Sequence, residues 1–134
     1  MRRLLIANRG AVAARIARAA RALGIETVVL YTPADRLAPF VELADRAVAV
    51  SAPPPNPYLD RDALLAVARE QACDALHPGY GFLAESAAFA QATVDSGLTW
   101  VGPPAEQIEL LGDKVAARER LAALGLPVFP GSPP

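Results

Sequence analysis

Cysteine, histidine, lysine, methionine and tryptophan each occur once in this chain of 134 residues. A single cysteine, Cys73, excludes a disulfide scaffold, fits a reducing cytoplasm, and reads as a small buried hydrophobe. No apolar run approaches the roughly 18 residues that a membrane span needs. The first one, Leu4-Leu5-Ile6-Ala7, stops at Asn8-Arg9, too early for a signal peptide. A net charge of −1 gives no electrostatic case for nucleic acid or a membrane surface. What remains is the profile of one globular domain over residues 1–134: 53% of residues are hydrophobic and 20% charged.

Apolar runs and helical periods alternate along the chain. Residues 4–7 and 27–31 read as buried strands, and 47–50, 74–76 and 98–101 as three more. Between the first two, residues 10–23 read as a helix with Val12, Ile16, Ala19, Ala20 and Leu23 at helical spacing and Gly24 just past its end. Further helices are expected over 60–71, 87–95 and 105–111, with a short turn at 39–43. A last helix has Asp113 as its cap and Gly125 at its C-terminal end. The stretch 51–57, with four prolines, reads as a stiff surface connection. Alternation of this kind predicts an α/β fold: a Rossmann-like parallel sheet with helices on both faces, and ligands at the C-terminal ends of the strands.

Three strand-end segments therefore matter. Asn8-Arg9-Gly10 follows the first strand and carries one glycine, not the three of a dinucleotide-binding turn. Taken alone, it reads as a tight turn with a surface arginine. His77-Pro78-Gly79-Tyr80-Gly81-Phe82 places two glycines around a tyrosine, so the backbone can pass close to a ligand. His77 has no carboxylate or nucleophile beside it and reads as a hydrogen-bonded structural histidine. Gly112-Asp113-Lys114 begins the last helix with the one lysine among twelve arginines. There its charge opposes the helix dipole, whereas an ammonium suits phosphate as a compact point charge. The alternative is an ordinary solvated lysine.

In sequence order, Ile6-Ala7-Asn8-Arg9-Gly10, Ala34-Asp35-Arg36, Leu43-Ala44-Asp45, Pro57-Tyr58-Leu59, the segment from His77 to Glu85, Val101-Gly102-Pro103 and Gly112-Asp113-Lys114 resemble the N-terminal domain of biotin carboxylases. Two positions depart from the family pattern. Ala11 stands where a glutamate usually follows Asn-Arg-Gly, and Ala84-Glu85-Ser86 replaces the usual Ser-Glu-Asn.

The resemblance implies a pre-ATP-grasp domain of an ATP-dependent ligase. That enzyme uses ATP, Mg2+ and bicarbonate to form carboxyphosphate, then carboxylates biotin held on a carrier domain. It also implies that Lys114 contacts ATP, and that Tyr80, Gly81 and Glu85 lie toward the biotin and carboxyphosphate end of the cleft. The metal-binding, bicarbonate-holding and lid residues of the family belong to the ATP-grasp region, so no catalytic residue and no metal site is assigned within residues 1–134. Without that region the chain is expected to fold but to show no ATPase activity. The implied partners are the biotin carboxyl carrier domain, a carboxyltransferase component and a second copy of the enzyme. The dimer would form near the first helix, whose Arg15, Arg18 and Arg21 otherwise read as a solvated basic face. Two other functions compete: a non-catalytic dimerisation or partner-binding module on the same fold, and a carbamoyl-phosphate synthetase-like ligase.

Overall fold

In the computed structural model, which describes residues 1–50 and 56–129, five strands form one sheet in the order β3-β2-β1-β4-β5, with every neighbouring pair parallel. The strands are β1 (Arg3–Ile6), β2 (Glu26–Tyr31), β3 (Arg46–Ala49), β4 (Ala75–His77) and β5 (Thr99–Trp100). All five agree with the sequence reading to within a residue or so at each end. β1 sits at the centre, with Leu5 opposite both Val28 and Leu76. The expected proline-rich connection falls largely on residues 51–55, outside the described part.

The period of two along the central strands divides their side chains between two cores. Leu4 and Ile6 point to one face with Val29, while Leu5 and Ala7 point to the other with Val28 and Leu30. On the first face lie α1 (Gly10–Ala22) and α2 (Pro39–Leu43), which buries Phe40. On the second lie α3 (Arg61–Glu70) and α4 (Ala87–Asp95), which supply Leu64, Val67, Ala68 and Phe89. Each fully buried Leu, Ile or Phe of this kind contributes about 1.5–3 kcal/mol, so the sheet is the stable centre of the fold. α5 (Ala105–Gly112) packs on α4, and α6 (Lys114–Ala123) follows against α5.

Helix starts are set by side-chain caps. Asp60 accepts from Ala63 N, Ser86 Oγ from Phe89 N, and Asp113 from both Val115 N and Ala116 N. Two acidic residues, one of them Asp45 of the Leu43-Ala44-Asp45 motif, prove to be internal fasteners. Asp45 accepts from the backbone N–H and hydroxyl of Thr27, each at 2.8 Å, and Asp74 accepts from the backbone N–H groups of Arg2 and Arg3.

α1 departs from the face that its spacing suggests. The residues it buries are Ala13, Ala14, Ala17 and Ala20, whose short side chains let the helix lie close on the sheet. Of the other residues at that spacing, Ile16 packs against the edge of this core, while Val12, Ala19 and Leu23 border open surface, Leu23 at 75% exposed. Together with Leu4, Ile25 and Val101 they line an open apolar groove of about 820 Å³.

Candidate functional site

The chain leaves β1 toward β2 on one side and returns to β4 on the other, so the loops after β1 and β4 diverge at the centre of the sheet. A crevice at such a switch point is where open parallel sheets bind ligands. Asn8, at the end of β1, is 1% exposed and uses its whole amide. Its Nδ2 donates to the carbonyls of Pro78 at 2.7 Å and Tyr80 at 3.0 Å, while its Oδ1 accepts from Arg9 N at 2.9 Å. The side chain thus ties the loop after β1 to the loop after β4.

That second loop is tightly wound. Gly79 has φ +70° and lies so close to the first loop that a Cβ there would stand 2.6 Å from Val12 Cγ1 and 2.7 Å from Asn8 Nδ2. Gly81 (φ +69°) and Phe82 (φ +48°) follow in the left-handed region, a costly conformation for a phenylalanine. His77 Nδ1 accepts from Gly79 N at 3.0 Å, so the ring proton sits on Nε2. Burial holds its pKa below the ordinary histidine value. His77 is therefore the structural, hydrogen-bonded histidine that its surroundings in sequence suggest.

The candidate residues of this loop face outward. Tyr80 is 74% exposed and borders the apolar groove, while Glu85 is exposed at the end of the 3-10 turn Phe82–Glu85. Lys114 is also exposed, at the start of α6, and has no hydrogen bond or ion pair among the described residues. The structure places Tyr80, Gly81 and Glu85 on one loop. Lys114 lies on a different element, at the start of α6, which packs on α5; α5 in turn packs against the turn carrying Glu85. Among the described residues no group of three or more His, Cys, Asp or Glu gathers in a way that could hold a metal.

One buried cluster was not visible in the sequence. Asp35, 6% exposed, accepts from Arg9 Nε at 2.9 Å, from Arg9 Nη2, from Tyr58 Oη at 3.2 Å and from Thr32 Oγ1 at 3.4 Å. The Arg9 bonds, against the opposing effect of burial, keep the Asp35 carboxyl below the usual range and raise Arg9. Burial, with Asp35 adding to it, pushes the Tyr58 phenol well above its ordinary value. Arg9 is thus not simply a surface arginine: its head is half exposed, but it neutralises a buried acid. Arg21 likewise leaves the basic face of α1, donating to the carbonyl of Leu43 at 2.7 Å, while Arg15 and Arg18 stay exposed.

Comparison with known proteins identifies the fold. The family model described as biotin carboxylase, N-terminal domain, matches residues 1–108. The biotin carboxylase of Pseudomonas aeruginosa is 47% identical over 133 residues, covering 98% of this chain and 30% of that protein. The solved biotin carboxylase domain of a single-chain bacterial carboxylase has a TM-score of 0.94 at 50% identity, covering 98% of this chain and 31% of the other. The biotin carboxylase domain dimer of Hydrogenobacter thermophilus 2-oxoglutarate carboxylase, solved with MgADP, ADP and bicarbonate, has a TM-score of 0.93 at 40% identity. It is covered over 29% of its length and this chain over 98%. The chain therefore spans less than a third of these relatives, and within that span it belongs to the biotin carboxylase N-terminal domain family.

Proposed function

We propose that this chain serves as the N-terminal domain of an ATP-dependent biotin carboxylase, a ligase that carboxylates carrier-bound biotin from bicarbonate. The observation that carries the reading is the pairing of a locked, outward-facing loop at the sheet's switch point with a lysine at the start of α6 that has no partner among the described residues. The loop would border the biotin and carboxyphosphate end of the cleft through Tyr80, Gly81 and Glu85. Lys114 would meet a nucleotide phosphate, where a free ammonium adds charge and hydrogen bonds. Mg2+ has no ligand cluster among the described residues, so its ligands would come from the ATP-grasp region. ATP supplies the phosphoryl group that activates bicarbonate; this domain would only border and orient the substrates.

The dimer in the Hydrogenobacter structure supports pairing of the whole enzyme, with exposed Arg15 and Arg18 of α1 near the contact. The carrier domain and the carboxyltransferase component would be its working partners. A reducing cytoplasm suits free Cys73, whose thiol burial raises to about 11; no helix among the described residues is long and apolar enough to cross a membrane.

The test is to join this chain to the ATP-grasp and C-terminal regions of the Pseudomonas aeruginosa enzyme. The joined protein should release ADP in a bicarbonate-dependent reaction stimulated by free biotin, and the chain alone should release none. A folded chimera that binds ATP but stays inactive contradicts the proposal.

A further inference from the structure

Two side chains outside the candidate site touch the loop that carries it, and two more link to them. Asn8 holds the loop directly, through the carbonyls of Pro78 and Tyr80. A trans peptide sets C=O and N–H in opposite directions, so a Tyr80 carbonyl turned inward to Asn8 points the Gly81 N–H away from Asn8. Tyr58 holds the loop from the other end. Its ring packs on that of Phe82 with centroids 5.6 Å apart, and its hydroxyl donates toward the Leu30 carbonyl and Asp35, each at 3.2 Å. Asp35 also binds Arg9, the residue next to Asn8 in the chain. The two attachments are thereby one network, anchored on the ends of β1 and β2, the most buried strands of the sheet.

The loop needs such an anchor, because Gly79, Gly81 and Phe82 all lie at positive φ within four residues. A backbone of this kind persists only where its surroundings over-determine it. The network has no exposed edge toward the apolar groove, and none of its four members is among the groups expected to meet ATP, bicarbonate or biotin.

We propose that Asn8, Arg9, Asp35 and Tyr58 are positioning residues, which fix the Gly79–Glu85 loop so that the Tyr80 ring and the Gly81 N–H are presented to the biotin-side substrate. The proposal rests on the reading of that loop as a substrate-facing element. It predicts that loosening the network harms binding at the loop more than binding of nucleotide, whose lysine is carried by another element, α6.

Tyr58→Phe tests this, since it removes one hydroxyl and keeps the ring on Phe82. Thr93→Val is the matched control: Thr93 is fully buried and its hydroxyl donates to Phe89 O at 2.8 Å, so a buried hydroxyl bond is lost elsewhere. In hydrogen exchange on the chain itself, Tyr58→Phe should speed the amides of residues 79–85 about tenfold and leave β1 and β2 within about twofold, whereas Thr93→Val leaves the loop within about twofold of the parent. In the joined carboxylase, Tyr58→Phe should raise KM for free biotin about tenfold and move KM for ATP less than about twofold. Loop exchange that is unchanged, or that rises equally in both variants, overturns the positioning role. A loop that loosens selectively while biotin KM stays at the parent value overturns the substrate-facing reading instead, so the two failures are distinguishable.

Discussion

The loop after β4 and the helices at the end of the chain both carry a candidate ligand residue, yet they are built in opposite ways. Around Gly79 to Glu85 the polar groups beneath the loop are buried and paired: Asn8 uses its whole amide, and Asp35 collects four hydrogen bonds. At α5 and α6 only Ile108 is buried; Leu111, and Leu124, Leu126 and Phe129 just past α6, are exposed, Phe129 at 92%. Lys114 sits in that second region without a partner among the described residues. One part of the site is thus finished within the chain. The other presents apolar surface and a lysine with no hydrogen bond or ion pair among the described residues, which on the proposed function would meet a further domain and a phosphate. The contrast accounts for a domain that folds as a unit but is expected to work only with more protein beside it.

The largest expected effect comes from breaking the finished part. Asn8→Asp keeps the shape, replaces the two amide N–H donors with a carboxylate, and aims it at the carbonyls of Pro78 and Tyr80. Loss of both bonds inside a site only 1% exposed should cost about 3 kcal/mol in urea denaturation. If stability is unchanged, the loops are not held by this amide.

A glycine pair sharpens the same comparison. Gly79→Ala places a methyl group against Val12 and Asn8 at a positive φ, and should cost about 2 kcal/mol. Gly112→Ala meets nothing within 4 Å at the end of α5 and should gain up to about 1 kcal/mol from helix propensity. Both are read from denaturation midpoints. Equal effects would mean that the two regions are equally tight.

A smaller effect separates the regions by pH. Burial lowers the pKa of His77, so the unfolded chain takes up the proton first as pH falls below its ordinary value of about 6.5. The stability tied to neutral His77 is therefore complete above that pH and declines as the pH falls toward the folded pKa. His77→Asn keeps an acceptor for Gly79 N without titrating, so the difference in stability between pH 7 and pH 5 should shrink. Asp35, Asp45 and Asp74, all held below the usual carboxylate range by their hydrogen bonds, should add their own loss only below about pH 4.

Much of this fold was legible because its signals are local. Apolar runs marked the five strands, Asp113 marked a helix start, and Gly125 (φ +74°) marked an end. The face of α1 was not legible from spacing, because a sheet accepts four alanines at close range, and periodicity favours the larger Val12, Ile16 and Leu23. The polar network was hidden for another reason. Arg9, Asp35 and Tyr58 are separated by 23 and 26 residues, and only the parallel crossovers bring them together. The motifs Ala34-Asp35-Arg36 and Pro57-Tyr58-Leu59 marked these positions by resemblance, with no role attached. Tyr80, Gly81 and Glu85 were legible as one loop, and Lys114 as an anomaly of composition.

The account turns on whether the unpartnered region meets a nucleotide. The most direct measurement is ATP affinity of the Lys114→Ala variant in the chain joined to an ATP-grasp region. Loss of one charge-assisted contact, about 1.5–3 kcal/mol, should weaken ATP binding by about one to two orders of magnitude, with Lys114→Arg recovering only part of it. An alanine variant that binds ATP as tightly as its parent would contradict the account and leave Lys114 as a solvated surface residue.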